Sequence, residues 1–163
     1  ILRKMIIDAI KDDPAWNNGN YVQQPALGLK HALDILMIMS SAPLQWQKEA
    51  PTKKSAEDYL NRYLTNAVKG KDANDMIYQF DASREYNPAP YLSKIKAPLL
   101  AINSADDQIN PPELKILDTA IVKVQHGKYI LLPITSETRG NGTHSLPKIW
   151  GNYLKELLEE TQK

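Results

Sequence analysis

The chain has 163 residues, a length that fits one domain of ordinary size. Hydrophobic residues make up 42% and charged residues 24%, the balance of a folded globular chain and not of a disordered one. A net charge of +1 with scattered Lys and Arg gives no basic stripe for a nucleic-acid partner, and the lack of cysteine excludes disulfides, thiolate metal sites and a cysteine nucleophile.

The first region, residues 1–90, reads as helices only. Ile1, Leu2, Met5, Ile6, Ala9 and Ile10 share one helical face, and Asp13-Pro14 stops that helix because the residue before proline avoids the α region. The chain opens already in this pattern, as a piece of a longer protein would. Asn17-Asn18-Gly19-Asn20 is a turn cluster. Leu29, Ala32, Leu33, Leu36 and Met37 line a second helix, which Ile35, Ile38 and Met39 make apolar nearly all round, so burial is expected. The apolar run Ile35 to Met39 is the longest in the chain, far short of the ~20 residues of a membrane span. The compartment stays open. His31 on this helix reads as a packing residue. Ser55 with Asp58 reads as a capping box that opens a third helix, with Tyr59, Leu60, Tyr63, Leu64, Ala67 and Val68 inward. Asp72 caps a fourth helix that carries Met76, Ile77 and Phe80.

The second region, residues 91–163, changes period. Pro98 to Asn103 is a short apolar run, as expected of a strand buried on both faces. Pro111-Pro112 starts a helix with Leu114, Leu117 and Ile121 on one face. His126 reads as a cation at its C-terminal end, and Gly127 as the stop before a second buried strand, Lys128 to Ile134. Thr135 to Thr143 is a polar loop. A last helix holds Leu146, Ile149, Trp150, Tyr153, Leu154, Leu157 and Leu158 inward. Trp16, Trp46 and Trp150 read as core. Strand, helix, strand, helix is a right-handed βαβ unit with a trailing helix, so the fold class is α/β. Two strands cannot bury both faces of a doubly wound sheet, so a larger parallel sheet is expected N-terminal to Ile1 or on another polypeptide.

Ligands of open α/β sheets bind beyond the carboxyl ends of the strands. Two polar clusters fall there, Asn103 to Gln108 after the first strand and Thr135 to His144 after the second. Parallel neighbours bring Asp107 and His144 to the same edge, within reach of a carboxylate–imidazole bond. Such a bond fixes the imidazole tautomer and stabilises the imidazolium during acyl transfer. Taken singly, the two residues also read as a loop turn and a helix cap. His31, His126 and His144 have no metal spacing, and Gly140-x-Gly142 lacks the third glycine and the acidic ribose binder of a dinucleotide fingerprint.

Ser104-Ala105-Asp106-Asp107-Gln108-Ile109-Asn110-Pro111 resembles the acid loop of α/β-hydrolases, where a proline follows the catalytic Asp by four residues; that spacing selects Asp107 over Asp106. Gly140-Asn141-Gly142-Thr143-His144 resembles the loop that delivers the catalytic histidine. Ala9 to Tyr21, followed by Pro25-Ala26-Leu27-Gly28-Leu29 and Ala32, resembles the lid segment of homoserine O-acetyltransferases and their hydrolase-like relatives. This resemblance implies the C-terminal part of an α/β-hydrolase fold: a helical lid over residues 1–90 and the last two strands and helices of the core over 91–163. It implies a Ser–His–Asp triad to which this chain supplies Asp107 and His144. No Gly-x-Ser-x-Gly elbow occurs, and Ser41, Ser104 and Ser145 lack its context, so the chain alone is expected to be inactive.

No bound cofactor is implied, and acetyl-CoA or another acyl donor would enter as substrate. The implied partners are a small-molecule acyl substrate, the N-terminal half of the same fold, and a second copy through the lid helices. Two positions depart from homoserine O-acetyltransferases. Ser145 stands where an Asp follows the catalytic His, and Ile7 stands where an Arg faces the substrate carboxylate. Those departures favour an ester or thioester hydrolase-like relative over a genuine homoserine O-acetyltransferase. A non-catalytic binding or oligomerisation module of the same fold is the remaining alternative.

Overall fold

The computed structural model describes residues 1–162. Its internal contacts divide the chain into two units. The first contains Ile1–Met39 and Trp46–Tyr86. The second contains Ser40–Gln45 and the chain from Asn87 onward.

The first unit holds helices α1 (Leu2–Lys11), α2 (Ala26–Met39), most of α3 (Pro43–Glu49), α4 (Lys53–Lys69) and α5 (Ala73–Asp81). Its core is built by α1, α2 and α5 around Ile6, Ile10, Leu29, Ala32, Leu33, Met76 and Ile77, all buried. Gly28 lets α1 and α2 approach closely. A β-carbon there would lie 2.6 Å from the Ala9 carbonyl oxygen and 2.8 Å from Asp13 Cβ. Asp13 caps both elements that follow it: its carboxylate accepts the Ala15 N–H at 2.9 Å and the Gly28 N–H at 2.8 Å. The Gly28 and Ala15 amides together hold the Asp13 carboxyl below its ordinary range.

The segment after Asp13 forms a 3-10 turn, Pro14–Gly19, in which Asn17, Asn18 and Gly19 have φ of 46°, 54° and 87°. These are left-handed conformations that Asn and Gly tolerate. The turn docks on the N-terminus of α5. Trp16 Nε1 donates to Asn74 Oδ1 at 2.8 Å, and Asn74 Nδ2 donates to the Gly19 carbonyl at 3.0 Å. Asp72 caps α5, accepting the Asn74 and Asp75 N–H groups, and also accepts from Tyr21 and Gln24.

Several expectations change here. α2 is not buried all round, since Ile38 is 62% exposed. His31 is exposed and not packed. The third helix starts earlier than Ser55: Thr52 is the N-cap, and Ser55 Oγ returns the bond from the Thr52 N–H at 2.9 Å. A hydroxyl therefore does the work the carboxylate of Asp58 was expected to do, and Asp58 pairs with Lys54. Of the six apolar residues expected inward on that helix, only Leu64 is buried.

In the second unit, β1 (Leu99–Ser104) pairs in parallel with β2 (Gly127–Leu132), from Leu99 opposite Gly127 to Ser104 opposite Leu132. Between them runs α6 (Ile116–Ile121), and α7 (Pro147–Thr161) follows. The helix expected from Pro111-Pro112 is broken: a 3-10 turn over Pro112–Leu114 ends at Lys115, whose φ is 51°, before α6 begins. His126 lies in the turn beyond α6 and not in its last turn. The strands are half-buried and not enclosed on both faces. Among the described residues α7 has no buried side chain, and Leu158 is 48% exposed. One neighbouring strand and two helices do not supply enough apolar surface to cover them. The three tryptophans are half-buried.

Replacing Gly28 by Ala is expected to destabilise the first unit by about 1–3 kcal/mol, the usual cost of overpacking, because the methyl group meets backbone that cannot step aside. The urea midpoint of helical circular dichroism measures this.

Candidate active site

The parallel pair delivers both polar loops to one end of the sheet. The ladder runs one residue beyond β1, where the Ala105 N–H donates to the Leu132 carbonyl at 2.9 Å. The chain then turns, and two adjacent carboxylates diverge in use.

Asp106 is tied into the loop after β2. Ser104 Oγ donates to Oδ1 at 2.5 Å and Thr138 Oγ1 to Oδ2 at 3.0 Å, with the Gly140 N–H as a further donor. Burial raises its pKa, but the Ser104, Gly140 and Thr138 donors outweigh that and hold the carboxyl below its ordinary value. The same loop is held on its other side by Gln45, whose amide donates to the Ser136 and Thr138 carbonyls at 2.5 and 3.0 Å. Gly140 has φ of 54°, and a β-carbon there would lie 2.7 Å from the Ser41 carbonyl oxygen.

Asp107 is 2% exposed and has every acceptor position filled. Oδ1 accepts the Ile109 N–H at 2.8 Å and the Asn110 N–H at 3.1 Å. Oδ2 accepts the Asn110 and Asn141 side-chain amides at 3.2 and 3.1 Å. A buried carboxylate is tolerable on these terms.

His144 lies in a 3-10 turn, Gly142–Ser145, and is exposed. Its carbonyl accepts Trp150 Nε1 at 3.1 Å. Its Nδ1 lies 2.5 Å from the Asn141 carbonyl oxygen, and its Nε2 has no partner among the described residues. The expected direct bond to Asp107 is therefore not the contact made: Asn141 stands between the two. Asp107, Asn141 and His144 nevertheless wall one cleft of about 430 Å³, whose other walls include Leu100, Leu132, Trp150 and Leu154. Asp106 is not part of that wall.

Neither serine near the cleft faces the imidazole. Ser104 gives its hydroxyl to Asp106, and Ser145 gives its own to the Gly142 carbonyl at 2.8 Å. Among the described residues no group of three or more His, Asp or Glu side chains is placed to hold a metal ion, and no helix is long and apolar enough to cross a membrane. Sequence reasoning did not single out Asn141, Thr138 or Gln45, and it read Trp150, which walls the cleft, as core. Asn141 carried the one available signal, its place in the Gly-x-Gly turn before the histidine.

Because the Asp106 carboxyl is depressed, its stabilisation is full above the ordinary carboxylate pKa and fades as pH falls through the lower folded value. Hydrogen-exchange protection of the Gly140 N–H is expected to drop on acidification below pH ~4. In Asp106→Asn the protection is lower throughout and loses this pH dependence.

No protein-family model matches the sequence, and no curated protein matches it. Solved structures do. A homoserine O-acetyltransferase from Bacillus anthracis is similar at 19% identity with a TM-score of 0.79, over 96% of this chain and 48% of that one. Esterase E22 is similar at 21% identity and a TM-score of 0.78, over 96% and 49%. The acetyl esterase MekB is similar at 18% identity and a TM-score of 0.75, over 97% and 50%. The chain spans about half the length of these structures. At such identities the likeness establishes fold: this chain has a partial α/β-hydrolase fold, as its acid-loop and histidine-loop motifs imply.

Proposed function

We propose that the chain is the C-terminal portion of a serine-dependent acyl hydrolase or acyltransferase, in which Asp107 and His144 serve a serine carried outside these residues. The observation that carries the reading is the cleft at the carboxyl ends of β1 and β2. Asp107 and His144 both wall it, and the imidazole Nε2 there has no hydrogen-bond partner among the described residues. In the reaction, Nε2 takes the serine proton as the hydroxyl attacks the acyl carbonyl, then gives it to the leaving alcohol or thiol. A second cycle with water, or with an acceptor hydroxyl, releases the acyl group. The oxyanion donors come with the serine.

The open sheet supports a complementing half. Clefts of about 430 and 300 Å³ both include Ile102 and Asn103 of β1, as expected where a further strand and its helices belong. Residues 1–90 serve as a lid in this reading, and a second copy binds through its helices. The favoured substrate is an ester or thioester. Ile7 and Ser145 do not supply the polar anchors that a homoserine O-acetyltransferase uses, so acetyl-CoA with homoserine is the less favoured pair. One observation favours a second reading, a non-catalytic module: the His144–Asn141 contact where a direct His144–Asp107 bond was expected.

A fluorophosphonate probe separates the readings. The full-length protein is expected to be labelled on a serine outside the present 163 residues. His144→Ala should slow labelling by about 10²–10⁴-fold, the range for loss of a general base. The 163-residue chain alone should stay unlabelled, and covalent labelling of it would sink the proposal. A full-length protein that is not labelled, or is labelled without regard to His144, would favour the non-catalytic module.

A further inference from the structure

We infer that Asn141 is a positioning residue that couples Asp107 to His144 and sets the tautomer of the imidazole, an inference that rests on the acyl-transfer reading of this cleft. Asn141 uses both of its ends. Its side-chain amide donates to Asp107 Oδ2 at 3.1 Å, and its carbonyl oxygen faces His144 Nδ1 at 2.5 Å. The amide has only one workable orientation, because its oxygen turned toward the carboxylate would set acceptor against acceptor. A carbonyl oxygen only accepts, so Nδ1 carries the ring proton and Nε2 keeps the lone pair. That is the tautomer a general base needs.

The carbonyl is available for this. In the turn that holds it, the Gly142 N–H donates to the Arg139 carbonyl at 2.9 Å and the Thr143 N–H to the Gly140 carbonyl at 3.0 Å. The His144 N–H reaches the Asn141 carbonyl only at 3.4 Å, which leaves that oxygen open to the imidazole. Asp107 is a fixed post, since the Ile109 and Asn110 amides hold its other oxygen. Asn141 is thus tied to a rigid carboxylate on one side and presents its carbonyl to the imidazole on the other.

The test is ¹⁵N NMR of the imidazole in the full-length protein, with His144 assigned from a His144→Gln variant. The wild type is expected to show a single tautomer with the proton on Nδ1. Asn141→Asp keeps the shape but sets a carboxylate against Asp107, and should shift the spectrum toward a mixture of tautomers. The exchange Asp107→Asn with Asn141→Asp restores a donor–acceptor pair with its direction reversed, and should restore the single tautomer. A wild-type proton on Nε2 would overturn the inference. So would a tautomer unchanged in Asn141→Asp but altered in Asp107→Asn, since the carboxylate would then hold the ring directly, or one altered by neither variant. The wild-type measurement needs no variant at position 107 or 141 to fold. Fluorophosphonate labelling is read separately, so loss of the acyl-transfer reading is distinguishable from loss of the Asn141 role.

Discussion

Parallel pairing of β1 with β2 is the constraint on which the second unit depends. Two strands that run the same way release the chain at the same end, and the connection between them must cross back through a helix. Asp106 and Asp107 leave β1 at that end, and the Thr135–His144 loop leaves β2 there. No other arrangement of these two strands would let residues separated by more than 30 positions share a hydrogen-bond network, as Thr138 with Asp106 and Asn141 with Asp107 do. The pairing also leaves β1 and α7 with apolar surface that the described chain does not cover.

Adjacent carboxylates in one turn point to opposite sides, and their environments divide their work. Asp106 anchors backbone and hydroxyl groups of the loop, and so fixes where the loop goes. Asp107 is buried against amides at the cleft wall. Both carboxylates accept hydrogen bonds from hydroxyl and amide donors close at hand. Asp106 therefore contributes through geometry, by fixing the loop that carries Asn141 and His144, without lining the cleft.

Much of this was legible in the sequence, at the level of elements. Periodicity placed α1, α2, α5, both strands and α7, and the Asn17-Asn18-Gly19 cluster marked a turn that the backbone makes with three left-handed residues. What failed has physical causes. Thr52 caps α4 because a threonine hydroxyl does the work expected of Ser55, and the pattern alone does not rank them. Lys115 breaks the helix after Pro112 by adopting φ of 51°, which nothing about lysine announces. The apolar stripe on α7 was read correctly as a stripe, but burial depends on a partner surface, and residue spacing does not reveal whether that surface is present. In the site, spacing to Pro111 pointed to Asp107, and Asp107 is the carboxylate in the cleft wall. The bridging contact of Asn141 was not legible beyond its place in the Gly-x-Gly turn, because it depends on the pitch of a 3-10 turn.

The contact between Gly140 and the Ser41 carbonyl bears on the order in which the molecule can be made. Ser40–Gln45 interrupts the first unit in sequence yet belongs to the second. During synthesis, Ile1–Met39 and Trp46–Tyr86 can pack as a unit before the chain around Gly140 has emerged. The Ser41 carbonyl and the Gln45 amide then complete their contacts only with a loop about a hundred residues downstream, and closing so long a separation is slow. Gln45, which bonds the far loop through Ser136 and Thr138, is the early residue that recognises its arrival.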